Sequence, residues 1–224
     1  MYTEQYKTFQ QNVVFAARTF HCYLIIGEKA ATDKQVYNAL NNNARFWSDY
    51  NYIALQTVII FLGKIFDTDN NTRNITKMLK AVIDDISYFN KFNLKERKLK
   101  LSGEFEGINE YINNAHELSR EDIKEIKQRV KKARGQWNNV KPLRDKIYAH
   151  NQNLNEEERV ELYKKVKYSD LKDILQILLN VAHSLEQAEL NGRRPDFNYN
   201  YEGPIRVAEK EVDNLLMLLI KGMD

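Results

Sequence analysis

The stretch Arg45-Phe46-Trp47-Ser48-Asp49-Tyr50-Asn51-Tyr52-Ile53-Ala54-Leu55-Gln56-Thr57-Val58-Ile59-Ile60-Phe61-Leu62-Gly63-Lys64-Ile65-Phe66 decides the fold. Ile53, Leu55, Val58, Ile59, Ile60, Phe61, Leu62 and Ile65 surround too much of a helical circumference to leave one face in water, which predicts a helix at the centre of a bundle. Upstream, Tyr6, Phe9, Val13, Ala16, Ala17, Phe20, Tyr23, Leu24 and Ile26 share one face of a helix over about Thr3–Ile26, which Gly27 would end. Asp33 then caps a short helix through Val36, Tyr37 and Leu40.

Downstream, Asp67–Arg73 is a polar loop, and Asn74 can cap a helix through Ile86. A short helix from Asn93 to Leu101 falls inside 89–107, where the periodicity is weakest and the basic run Lys95-Glu96-Arg97-Lys98-Leu99-Lys100 is densest. This segment reads as an insertion or mobile connection. Its basic run reads as a solvated helix face in preference to an RNA-backbone contact. Ser119, with an acid three positions on, opens a long helix carrying Lys124, Lys127, Arg129, Lys131, Lys132 and Arg134 and reaching Trp137. Pro142 should kink that helix or begin a new one. Arg144 would then lie in a first turn, where backbone N–H groups favour an anion. Asn151–Glu158 is a polar loop, Ser169 caps a helix over Asp170–Ala188, and Asn191-Gly192-Arg193-Arg194-Pro195 breaks it. In a last helix over about Pro204–Ile220, Val207, Val212, Leu215, Leu216, Leu218 and Leu219 form a stripe that closes the bundle or meets another subunit.

Composition agrees with this pattern. Three prolines and eight glycines in 224 residues, with 43% hydrophobic content, fit an all-α helical bundle with one sizeable core. A single domain over 1–224 is expected, with 195–224 as a C-terminal helical extension. The net charge of +3 permits a nucleic-acid partner without requiring one. Cys22 is the only cysteine, so no intrachain disulfide can form. Glu4, Lys7 and nearby glutamines interrupt any apolar leader, and no run approaches the roughly 20 apolar residues of a membrane span. A cytoplasmic protein without a membrane partner is expected.

The segment Pro142-Leu143-Arg144-Asp145-Lys146-Ile147-Tyr148-Ala149-His150-Asn151 carries the chemistry. An imidazole titrates near neutral pH and moves protons, while a guanidinium stays charged and grips phosphate in a fork. Together they suit attack of a ribose 2′-hydroxyl on the adjacent phosphorus, which needs proton transfer and charge stabilisation. On an ideal helix the six-residue step from Arg144 to His150 leaves their side chains about 120° apart in direction and about 9 Å apart along the axis. Two copies meeting across a two-fold axis would bring each arginine towards the partner's histidine and form a composite pocket. The other histidines read as structural: His183 as packed, His116 as solvent-exposed near a helix end, and His21 as a poor joint ligand with Cys22. Asp84-Asp85 and Glu156-Glu157-Glu158 read as surface charge. No metal ion or other cofactor is expected.

This segment resembles the HEPN superfamily signature, an arginine and a polar residue preceding a histidine by four to six positions. Its surroundings resemble the AbiU-type abortive-infection branch, as do Phe46-Trp47, Gly63-Lys64-Ile65-Phe66-Asp67 and Asn74-Ile75-Thr76-Lys77-Met78-Leu79. The resemblance covers about residues 1–190. It implies a HEPN-like helical bundle with additional helices, and a homodimeric, metal-independent endoribonuclease acting on RNA in phage defence or with an antitoxin partner. It assigns Arg144 to phosphate binding and transition-state charge, His150 to proton transfer or 2′-hydroxyl orientation, and Asp145 to polar support. Lys146, Tyr148 and Asn151 are nearby options for further contacts. Nucleotide-modified relatives carry a tyrosine two positions after the histidine; Gln152 stands there, leaving Tyr148 as the alternative acceptor. The competing expectation is a non-catalytic helical HEPN interaction module in which Arg144 makes a buried ion pair and His150 is a satisfied helix residue.

Overall fold

The apolar run that anchors the sequence reading is helical over Ala44–Phe66 (α3), but it is only partly enclosed. Ala54, Val58, Ile59, Leu62, Ile65 and Phe66 are buried, whereas Phe46, Tyr52 and Ile53 are more than half exposed. The computed structural model describes residues 2–69, 71–150, 152–198 and 200–222, which contain no strand. Helices α1 (Tyr2–Thr32) and α2 (Lys34–Asn41) precede α3, and α4 (Ile75–Asp84), α5 (Lys91–Ser102), α6 (Ile108–Asn114) and α7 (Arg120–Leu143) follow it. A π-helical segment, Arg144–Ala149, continues α7, and α8 (Glu156–Lys164), α9 (Tyr168–Asn191) and α10 (Gly203–Lys221) complete the described helices. The chain is all-α.

The helices group into two compact units. One comprises Met1–Gln11, Lys64–Asn138 and Lys167–Tyr201, the other Asn12–Gly63, Asn139–Val166 and Glu202–Asp224. In the first, Ile75, Met78, Leu79 and Val82 of α4 are buried, as are Ile126, Ala133 and Trp137 of α7 and Leu171, Ile174 and Leu178 of α9. Phe66 stacks on Trp137 with ring centroids 5.9 Å apart. The buried Tyr6 hydroxyl donates to the Ala182 carbonyl at 2.9 Å, which satisfies a group whose burial would otherwise be costly. In the second unit Ile26, Val36, Leu40, Trp47, Val212 and Leu216 form one apolar cluster. Arg18 pairs with Glu211 and Lys29 with Asp213 between α1 and α10. Only part of the expected α10 stripe is used: Val212 and Leu216 are buried, while Val207, Leu215 and Leu218 are exposed.

Several boundaries depart from the sequence reading for identifiable reasons. Helix α1 continues through Gly27 to Thr32. One helix-interior glycine costs only about 1 kcal/mol, and Ile26 and Ala30 on either side still pack into the apolar cluster. Asn90, not Asn93, caps α5, its side chain accepting from the Asn93 backbone N–H at 2.8 Å. Leu94 of that helix packs with Ile108 and Ile112. The segment read as a loop over Asn151–Glu158 contains the start of α8, opened by a capping box between Asn155 and Glu158. Helix α9 begins at Tyr168, so Ser169 lies inside it and caps nothing. Gly192 closes α9 in the left-handed conformation at φ +56°, as the Asn191-Gly192 break requires.

Candidate functional site

The C-terminal end of α7 sets the geometry of the Arg144–His150 segment. Pro142 cannot donate a backbone hydrogen bond, yet α7 passes through it and widens into the π-helical segment instead of starting a new helix. Arg144 therefore sits at a helix-to-π junction and not in a first turn, and the expected anion-binding helix start is absent at this position. The segment closes when the Gln152 backbone N–H donates to the Lys146 carbonyl at 2.8 Å. Inserted π turns of this kind recur at functional positions because they re-aim side chains relative to the helix.

Arg144 is half-buried and lies across the backbone of α3 at Gly63. A Cβ at position 63 would stand 2.7 Å from its Nε and 2.9 Å from its Cδ, so the absent side chain of Gly63 makes the seat for this arginine. Its Nη1 donates to Asp145 Oδ1 at 3.0 Å. Lys141 Nζ, one turn before, pairs with the other oxygen, Asp145 Oδ2. Asp145 thus orients two cations with one carboxylate. A guanidinium has five N–H donors, and among the described residues this is the hydrogen bond that fixes it, so the fork retains donors for an anion. With the exposed Lys146, residues 141–146 carry three cations against one carboxylate, a balance that favours phosphate.

His150 follows the π segment and is exposed. Among the described residues its ring makes no hydrogen bond or ion pair, with Arg144 or with any other side chain. Tyr148 lies between them in sequence and packs edge-on against Tyr52 of α3, with centroids 5.9 Å apart. Its hydroxyl donates to that of Tyr163 on α8 at 3.4 Å. Asn151 lies outside the described residues. Three contributors escaped the sequence reading: Gly63, Lys141 and Tyr163. The i,i+4 spacing of Lys141 and Asp145 was a readable signal, whereas nothing local links Gly63 or Tyr163 to the motif.

The remaining histidines are held in structural roles. His183 stacks on Tyr201 with centroids 4.1 Å apart, and burial lowers its pKa. His116 is not simply solvent-exposed: its Nε2 lies 2.7 Å from Asp122 Oδ2. The same carboxylate accepts from the Ser119 backbone N–H and hydroxyl, forming the cap that starts α7. Burial pushes the Asp122 carboxyl up, but the hydrogen bonds from Ser119 and His116 outweigh it and hold the group below its ordinary value. Among the described residues no group of three or more His, Cys, Asp or Glu side chains could hold a metal ion. No described helix is long and apolar enough to cross a membrane.

No curated protein and no solved structure matches this chain. A family model does: HEPN_AbiU2, described as AbiU2, matches residues 2–202, ending at the residue before α10. That span takes in α3 with Gly63, the Pro142–His150 segment and nine of the described helices. The chain belongs to the AbiU2 family of HEPN proteins.

Proposed function

We propose that the protein is an endoribonuclease of phage defence that cuts RNA without a metal ion, at a site composed of Arg144 from one subunit and His150 from another. The observation that carries this reading is the pairing of a seated, oriented guanidinium with a solvent-facing imidazole on one short segment. His150 takes the proton from the ribose 2′-hydroxyl, whose oxygen bonds to the adjacent phosphorus as the bond to the 5′-oxygen breaks. The products are a 2′,3′-cyclic phosphate and a 5′-hydroxyl, which receives a proton. Arg144 neutralises the charge that builds on the non-bridging oxygens, with Asp145 fixing its direction. Lys146 and Tyr148 border the segment and contact the strand, as does Asn151. In this reading a homodimer completes the site, each arginine meeting the partner's histidine. An antitoxin partner would hold it silent.

A second reading has its own support. The 3.0 Å contact between Arg144 and Asp145 is what a structural ion pair in a non-catalytic HEPN interaction module would show. Mixing two inactive variants separates the readings. Arg144→Ala and His150→Ala should each be silent, yet a heterodimer of the two rebuilds one intact site and recovers cleavage. A folded wild-type dimer that cuts no RNA, alone or freed of partners, overturns the ribonuclease reading and leaves the module.

A further inference from the structure

Helix α7 carries eight cations against three carboxylates over 120–143, and two of those acids, Asp122 and Glu125, are engaged away from most of its bases. The Asp122 carboxylate accepts from the Ser119 backbone N–H at the helix start, and Glu125 pairs with Arg129 at 3.6 Å. Arg120, Lys124, Lys127, Lys131 and Arg134 succeed one another at steps of four, three, four and three, which keeps them on one face. Fourteen residues at 1.5 Å each make this a stripe about 21 Å long. It borders two adjoining clefts against α4, each of about 390 Å³, that share Ile83 and Lys127. Lys80 of α4 adds a sixth cation from the facing side, and no residue lining either cleft is acidic. Arg134 is fixed in the stripe by a 2.9 Å hydrogen bond from its Nη2 to Thr76 Oγ1. The other four α7 cations of the stripe, Arg120, Lys124, Lys127 and Lys131, are exposed and form no ion pair among the described residues.

We infer that this stripe binds the phosphate backbone of single-stranded RNA, irrespective of sequence. The choice of RNA as the polyanion rests on the ribonuclease reading; the charge pattern does not. The cleft floors explain why a strand fits better than an acidic amphipathic helix. Leu79, Ile123 and Val130 are each at most 6% exposed, which leaves Ile83, shared by the two clefts, as their one partly exposed apolar side chain; a single such contact does not supply the i, i+3 and i+4 anchors of a helix. No aromatic ring lines either cleft, so bases are not stacked there and contact is made through phosphate. Such binding is dominated by counterion release and is steeply salt-dependent. Five contacts predict a slope of log affinity against log salt of about −3.5 on a single strand.

The test is fluorescence anisotropy of a labelled, mixed-sequence single-stranded RNA with the full chain carrying His150→Ala, across a salt series. Changing Lys124, Lys127 and Lys131 together to Gln should weaken binding at least about tenfold and make the slope shallower by about 2. A control triple at the exposed Lys34, Lys165 and Lys210 should leave both unchanged. An unaltered affinity and slope in a stripe variant that is folded by circular dichroism overturns the inference. A polyglutamate peptide that binds the stripe more tightly than RNA also overturns it, in favour of an acidic protein. The two readings fail separately. RNA held by the stripe but cut by no form of the protein removes the ribonuclease and keeps the stripe, whereas His150-dependent cleavage with full RNA binding by the stripe variant does the reverse.

Discussion

Replacing Gly63 with alanine should cripple the candidate site while leaving the fold nearly as stable as before. Two terms set the stability change. Alanine is favoured over glycine inside a helix by about 1 kcal/mol. Against this, the new Cβ would stand 2.7 Å from Arg144 Nε and 2.9 Å from Cδ, where unstrained carbon contacts lie at about 3.5–4.0 Å. Clearing it requires the guanidinium to retreat by about 1 Å, and overpacking of this kind costs about 1–3 kcal/mol. The net destabilisation is therefore about 0–2 kcal/mol. The loss of function is much larger, because a catalytic group misplaced by about 1 Å costs on the order of a hundredfold in rate. Thermal melts and RNA cleavage rates of the wild type and Gly63→Ala measure the two quantities side by side. The same substitution in an Arg144→Ala background completes the cycle: with the guanidinium gone, alanine at 63 should stabilise by up to about 1 kcal/mol. Equal stability changes in both backgrounds, or wild-type cleavage by Gly63→Ala, would refute the seating of Arg144 on α3.

Two further predictions concern the scaffold. Asp122 is 3% exposed and its folded pKa lies below the unfolded one, so its carboxylate stabilises above the ordinary carboxylate range and loses that contribution as pH falls through the folded value. The melting temperature should drop on acidification below about pH 4; Asp122→Asn should cost about 1–3 kcal/mol at neutral pH and flatten that acid limb, and an identical limb in both proteins would count against the assignment. Gly192→Ala should destabilise by about 2–4 kcal/mol, because φ is +56° and a Cβ would stand 2.6 Å from Leu94 Cδ2 and 2.7 Å from Ala115 Cβ. Chemical denaturation checks it, and a change below about 1 kcal/mol would mean that the αL strain and the contacts relax.

The helical class was legible because periodicity, scarce proline and the caps at Asp33 and Asn74 all agree, and local signals of this kind need no tertiary information. Boundaries failed where tertiary packing overrode them. Gly27 does not stop α1 because apolar contacts on both sides hold the helix. Helix α8 is hidden by its polar composition, although the Asn155–Glu158 capping box that opens it is a local signal. At the site, residue types and spacing in Arg144–His150 pointed to phosphate chemistry. The π segment after Pro142 did not show itself, since a proline commonly breaks a helix and here only widens the turns that follow. The seat at Gly63 arises from a close approach between α3 and the segment after α7, far apart in sequence, and no local pattern encodes such an approach.

The central claim is that His150 moves protons in an RNA cleavage that needs no metal. Its most direct test is incubation of a mixed RNA pool with the wild type and with His150→Ala, each in excess EDTA, with folding checked by circular dichroism and product ends mapped. The account predicts cleavage by the wild type alone, with 2′,3′-cyclic phosphate ends, and two equally folded proteins, because the His150 ring is exposed and makes no hydrogen bond among the described residues. Cleavage that survives His150→Ala, or that vanishes from the wild type when EDTA is added, would contradict it.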